Sequence, residues 1–148
     1  MKKLIVILLL IYSTMVTAQE KTQVEEIIIG LEQAALERWN NGDPSGFLEL
    51  SAADVVYFDP SLEKRINGLD KLTAWYEPAR GQIKVDRYEM IDPLVQSSDR
   101  MAVLTYNLHS YIEGQVHKWN CTEVFRLEPD GKWKIIQTHW SQTQPELK

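Results

Sequence analysis

The chain has 148 residues, 25% of them charged, with a formal net charge of -5 and no basic run. That length suits one domain with an ordinary core, and the mildly acidic balance argues against a nucleic-acid partner. A single cysteine, Cys121, excludes an internal disulfide.

At the amino terminus Lys2 and Lys3 precede an apolar stretch from Leu4 to Ile11, too short for a typical membrane span. Val16-Thr17-Ala18 then supplies small residues at cleavage positions. Residues 1–18 therefore read as a signal peptide cut after Ala18, with 19–148 as a single domain. Removing 18 of 148 residues leaves 130, and losing two lysines takes the formal charge from -5 to -7. The expected address is periplasmic or secreted, with no membrane attachment after cleavage.

Val24 to Trp39 carries apolar residues at helical spacing (Val24, Ile27, Ile28, Leu31, Ala34, Ala35 and Leu36) and stops near Asn40-Asn41-Gly42. Asp43 caps a shorter helix that begins at Pro44 and runs to about Leu50. Val55 to Phe58 is a short strand ended by Asp59-Pro60, and Ser61 to Gly68 is polar and irregular. Leu69 to Tyr76 forms a third helix stopped by Pro78. Beyond Gly81 the chain turns to strands: Lys84 to Leu94, Arg100 to Ile112, Val116 to Leu127 and Lys132 to Ser141. Helices first and long antiparallel strands afterwards predict an α+β fold with the helices on one face of a curved sheet.

The last two strands enclose Asp130-Gly131, a strong hairpin signal. With those two residues as the loop, Leu127 faces Lys134, Phe125 faces Ile136, Glu123 faces Thr138 and Cys121 faces Trp140. Period two then gathers Trp119, Cys121, Glu123, Phe125, Ile136, Thr138 and Trp140 on one apolar face. Asn120, Thr122, Arg126, Gln137, His139 and Ser141 form the wetter one. A carboxyl on the apolar face loses hydration, which raises its pKa and suits it to proton transfer or hydrogen-bond donation. The alternative is an edge glutamate paired with a Lys or Arg. Taking Gly114-Gln115 as the preceding loop sets Tyr106 opposite Glu123, Leu104 opposite Phe125, Leu108 opposite Cys121 and Ser110 opposite Trp119. On the same face Cys121 reads as an inert, structural thiol.

Asp59 is the second carboxyl of interest, because it leaves the sheet where side chains reach cavity mouths. The alternative is a turn aspartate capping local amides. Trp39, Tyr57, Trp75, Tyr76, Trp119 and Trp140 are candidate pocket walls, or plain core. His109, His117 and His139 lack ligand spacing and the glycines occur singly at turns, so neither a metal nor another cofactor is expected.

The order of these elements, with Trp39-Asn40-Asn41-Gly42-Asp43, Asp54-Val55-Val56-Tyr57-Phe58-Asp59-Pro60, Ile66-Asn67-Gly68, Asp130-Gly131-Lys132-Trp133 and His139-Trp140-Ser141, resembles the nuclear transport factor 2-like superfamily. The resemblance covers about Val24 to Ser141 and is closest to the SnoaL-like and ketosteroid isomerase-like branch. It implies a cystatin-like cone, a strongly curved antiparallel sheet wrapped around three N-terminal helices, with a pocket at the open end and a homodimer through the sheet. It also implies Asp59 as general base, Glu123 as a protonated carboxyl donating to an oxyanion, and Trp140 as a pocket wall. A carboxylic acid kept neutral to donate a hydrogen bond is the known device of ketosteroid isomerase itself, so the role given to Glu123 comes from the resemblance alone. The isomerase's oxyanion tyrosine matches Ala35 here, which cannot donate; Tyr106 or Tyr76 would have to substitute. Losing such a donor removes on the order of 2–4 kcal/mol of transition-state stabilisation, so steroid isomerisation is not expected.

The reading is a secreted small-molecule-binding domain with an aromatic pocket and two carboxyls. Its chemistry would be of isomerase, cyclase or dehydratase type on a small apolar carbonyl compound, through Asp59, Glu123 and Tyr106. The alternative is a non-catalytic ligand-binding or dimerisation module. The final strand also resembles the association domain of calcium/calmodulin-dependent kinase II, although Trp140 replaces a basic residue expected there, which argues against the same anionic ligand. Fold analogy cannot choose between enzyme and binder.

Overall fold

The computed structural model of the protein describes residues 22–143. The segment read as a signal peptide lies outside the described residues. Residues 22–40 form helix α1, whose buried side is Ile28, Glu32, Ala35, Leu36 and Asn40, with Trp39 half-buried. These positions recur every three or four residues and so share one face. Ile27 (41% exposed) and Ala34, assigned to the apolar stripe from the sequence, point outward. Each lies one residue before a buried position, and about 100° per residue carries it off the face.

Helix α2 (Ser45–Leu50) follows at once, and the Asp43 carboxylate accepts from the Ser45 amide at 3.0 Å. Gly46 lets the two helices close: a Cβ there would lie 3.0 Å from the Ala35 carbonyl oxygen. Strand β1 (Ser51–Phe58) starts four residues earlier than the apolar run suggested. The irregular stretch after it contains a short strand, β2 (Ile66–Asn67), paired antiparallel with β1. Helix α3 (Leu69–Tyr76) has the expected bounds and runs into a 3-10 turn at Glu77–Ala79 that carries Pro78.

Four long strands complete the chain: β3 (Arg87–Ser98), β4 (Met101–Ile112), β5 (Gln115–Leu127) and β6 (Trp133–Gln142). The six-stranded sheet has the order β2-β1-β6-β5-β4-β3. The β1–β6 pairing is parallel, so the sheet is mixed and not wholly antiparallel. A bulge in β3 between Ile91 and Leu94 bends the sheet and reverses its inward parity, bringing Tyr88 and Met90 on one side and Val95 on the other against the core. Phe125, Leu104, Ile135, Val55, Ile28, Leu36 and Leu72 are among the largest fully buried apolar side chains. Each contributes roughly 1.5–3 kcal/mol by leaving water. No helix among the described residues is long and apolar enough to cross a membrane.

Both hairpins correct the predicted registers. The β4–β5 loop is Glu113-Gly114, with φ of 50° and 79°, and Ile112 pairs with Gln115. Two positive φ values are what a two-residue primed turn requires. The register therefore slides by two: Leu104 faces Glu123, Tyr106 faces Cys121, Leu108 faces Trp119, and Ser110 faces His117. A slide of two keeps every side chain on its predicted face but removes Tyr106 from the place opposite Glu123.

In the β5–β6 hairpin Glu128 and Lys132 close a three-residue loop whose Gly131 has φ 82°. Leu127 consequently pairs with Trp133 and Phe125 with Ile135. Ile136 is then the extra residue of a bulge, so Ile135, not Ile136, enters the core. Beyond the bulge Glu123 faces Thr138 and Cys121 faces Trp140 as predicted. The loop is one residue longer than a two-residue turn, and the bulge restores the register.

Candidate functional site

A cavity of about 310 Å³, within the range of small-molecule sites, lies between the helices and the sheet. Its walls come from every layer. Leu36, Trp39 and Asn40 end α1, Phe47 comes from α2, Tyr76 ends α3, and Trp119 and Trp140 come from the sheet. Gly42 makes part of this wall possible. Its φ is +79°, its carbonyl accepts from the Gly81 amide at 2.8 Å, and a Cβ there would lie 3.0 Å from the Ile83 oxygen. That close approach, with the Val85 amide donating to the Asn40 carbonyl at 3.0 Å, lays Ile83 and Val85 along the cavity.

Outside the cavity, Arg38 bridges Asp43 and Glu49 at 2.7 Å each, and Arg80 reaches Asp43 at 2.8 Å. These pairs tie the end of α1 to the turn after α3. The guanidinium of Arg38 holds the Asp43 carboxyl well below the usual range.

Six predicted residues meet at the cavity: Trp39, Tyr57, Asp59, Tyr76, Trp119 and Trp140. Asp59 lies one residue beyond β1, half-buried. Its Oδ2 accepts from the Tyr57 hydroxyl at 2.9 Å; its Oδ1 accepts from the Ser61 amide at 2.9 Å and from the Ser61 hydroxyl. Both anticipated geometries coexist, since one oxygen closes an Asx turn while the other joins the cavity wall. Tyr57 meets Tyr76 edge to face at 5.4 Å, Tyr76 lies 4.7 Å from Trp39, and Trp39 lies 6.0 Å from Phe47. Burial raises both tyrosine pKa values, so both phenols are neutral donors.

Glu123, Tyr106 and Trp75 are not among the cavity-lining residues. Trp75 is 42% exposed on the outside of α3. Glu123 is sealed in the core, where its Oε1 accepts from Thr138 Oγ1 at 3.0 Å. Among the described residues no cation pairs with it. Its neighbour is Glu32, also fully buried, which accepts from the Tyr106 hydroxyl. Tyr106 in turn packs edge to face on Trp140 at 5.9 Å. Through this tyrosine and tryptophan the pair connects to the cavity.

Burial pushes the Glu123 pKa well up, and the adjacent Glu32 charge and hydrogen bond push it further. Burial also raises Glu32, but hydrogen bonds from Glu123 and Tyr106 oppose the rise. The consistent assignment is a protonated Glu123 donating to Glu32, two carboxyls with one proton between them. Glu32, Glu123 and Cys121 also form, among the described residues, a group with metal-ligand-type atoms within 4.8 Å of one another. Tyr106 and Thr138 donate to one oxygen of each glutamate, and the second oxygens, Glu32 Oε2 and Glu123 Oε2, have no other donor, which leaves them for the shared proton.

Sequence reasoning missed Glu32, Asn40, Ser110 and His117, the last three at the cavity. Glu32 had a legible signal: it stands four residues from both Ile28 and Leu36, inside the apolar stripe. Asn40 is buried with no hydrogen-bond partner for its amide nitrogen. Ser110 and His117 needed the corrected β4–β5 register, which sets them opposite each other facing the cavity.

A family model for the SnoaL-like domain matches residues 33–136. Among solved structures, a candidate ketosteroid isomerase from Parabacteroides distasonis ATCC 8503 is 51% identical with a TM-score of 0.76, over 82% of this chain and 89% of that one. An NTF2-like protein of unknown function from Pseudomonas putida KT2440 is 23% identical with a TM-score of 0.72, over 81% and 87%. The association domain of CaMKII from C. elegans is 20% identical with a TM-score of 0.69, over 84% and 98%. The last two share the fold alone. No curated protein matches. With its helices set against a curved six-stranded sheet, the chain belongs to the SnoaL-like domain family, within the ketosteroid isomerase-like branch of the NTF2-like superfamily.

Proposed function

We propose that this SnoaL-like domain binds a small, largely apolar, ring-sized compound in the aromatic cavity, anchored by Asp59. The observation that carries the reading is a carboxylate, bonded to the Tyr57 hydroxyl at 2.9 Å, in the wall of an otherwise mainly apolar space of about 310 Å³. Because Glu123 and Tyr106 do not line that space, a two-carboxyl acid/base mechanism has no geometric support. Proton transfer by Asp59 alone, next to the carbonyl of a bound ketone, is the chemistry this reading retains. The oxygen would be held by the unpartnered Asn40 amide nitrogen. The export expected from residues 1–18 and the homodimer expected through the sheet belong to the same reading.

The test is a thermal melt against small cyclic ketones and enones, followed by hydrogen–deuterium exchange next to the carbonyl of any compound that binds. Binding raises the melting temperature by mass action. Asp59→Asn is expected to slow catalysed exchange by about 100-fold or more if Asp59 moves the proton. Binding with exchange no faster than in buffer would assign a binding module, and no binding across the panel would contradict the reading.

A further inference from the structure

The cavity's charge and its wall chemistry together define a ligand class more narrowly than size does. Asp59 is bonded only to neutral donors, Tyr57 and Ser61, and among the described residues no lysine or arginine pairs with it. Neutral donors spread a carboxylate's charge without cancelling it. A carboxylate offers about four lone-pair sites, and three are in use, which leaves room for one more contact.

From Asp59 the wall continues as Tyr57, Tyr76, Trp39 and Phe47 in successive ring contacts, with Trp119 and Trp140 on the sheet side. Aromatic faces are electron-rich and attract cations, most strongly for Trp and more so where water is excluded. Among the described residues no lysine or arginine lines the cavity; His117 is its one basic side chain. The formal net charge of -5 adds a field of the same sign as Asp59. An anion entering would meet the Asp59 carboxylate and an aromatic wall, with the Asn40 amide nitrogen and His117 as the groups that could favour it. A cation would meet that carboxylate and the aromatic wall, both attractive.

We propose that the cavity is a site for a small organic ammonium ion, with its charged head between Asp59 and the Tyr57–Tyr76–Trp39 aromatic run. This deepens the binding reading by assigning the ligand's charge, and it rests on that cavity being the binding site.

The experiment compares choline with 3,3-dimethylbutan-1-ol, a neutral isostere with carbon in place of nitrogen, by calorimetric titration of the intact protein. Choline should bind at least about tenfold more tightly than the alcohol, the preference expected from desolvated cation–π contact plus one carboxylate. Asp59→Asn keeps the turn geometry, and should cut the preference by most of that factor, through weaker binding of choline. Trp39→Leu should reduce it by a smaller factor. Melting temperatures without ligand establish that both variants are folded. Equal or tighter binding of the alcohol would overturn the ammonium proposal and leave the cavity reading intact. A choline preference unchanged in Asp59→Asn would overturn it as well, and binding of neither compound nor any cyclic ketone would remove both.

Discussion

Asp59 and the Glu32–Glu123 pair are carboxyl groups of one small cone, and their surroundings give them opposite characters. Asp59 is half-buried, faces a cavity, and is held by a phenol, a hydroxyl and a backbone amide. Glu32 and Glu123 are fully buried and have each other, one tyrosine and one threonine. The first arrangement keeps a usable negative charge beside a ligand space. The second compels the acids to share a proton, because two unpaired charges in the core would each cost several kcal/mol. A carboxyl on an apolar face is therefore not by itself a catalytic signal. What decides its role is whether the cavity reaches it.

The contrast can be broken by variants, and the largest effect should come from Glu32→Ala. It empties a fully buried site and strips Tyr106 and Glu123 of their partner, so urea unfolding should show a loss of about 3 kcal/mol or more. A loss below about 1 kcal/mol would mean the pair contributes little to the fold.

Glu123→Gln sharpens the same point through pH. Glu123 keeps its proton in the folded chain but releases it on unfolding above the ordinary glutamate value of 4.5. The folded state then binds more protons than the unfolded one, so this group's contribution is fully present below that value and lost as pH rises. The slope is at most about 1.4 kcal/mol per pH unit for one proton. Glutamine cannot ionise, so the variant should lack this component and gain on the parent as pH rises above the ordinary glutamate value of 4.5. Parallel stability–pH curves would contradict a protonated Glu123.

Tyr106→Phe removes one hydrogen bond to Glu32 and should cost about 1–2 kcal/mol in the same unfolding assay. Asp59→Asn should change stability least, by less than about 1 kcal/mol, since asparagine also closes an Asx turn. If Asp59→Asn destabilised the chain as much as Glu32→Ala, the two regions would not differ as described.

Much of this architecture was legible in the sequence, because helical and strand periodicities are local. Helix α3 was bounded correctly, and Glu123, Thr138 and Trp140 fell on one face. What was not legible depended on single residues of backbone geometry. Glu113 adopts a positive φ that sequence reasoning reserves for glycine, so the β4–β5 loop was displaced and Tyr106 was set against the wrong partner. The bulge at Ile136 exchanged two neighbouring isoleucines between core and surface. Glu32 carries a charge within a helix, a pattern that also fits a solvated face, although its spacing from Ile28 and Leu36 sets it inward. Five of the six aromatic candidates lie at the cavity and Trp75 does not, and the cavity's separation from Glu123 is a matter of depth, which periodicity does not encode.

The most direct test of the central claim, that the aromatic cavity beside Asp59 is the binding site, uses the protein's five tryptophans as reporters. Trp39, Trp119 and Trp140 line the cavity, while Trp75 and Trp133 lie outside it. In a nitrogen–proton correlation spectrum titrated with the best-binding compound of the melt panel, the indole signals of the first three should move together while those of Trp75 and Trp133 stay fixed. Movement confined to Trp75 or Trp133 would contradict the account and relocate the site to the outer surface.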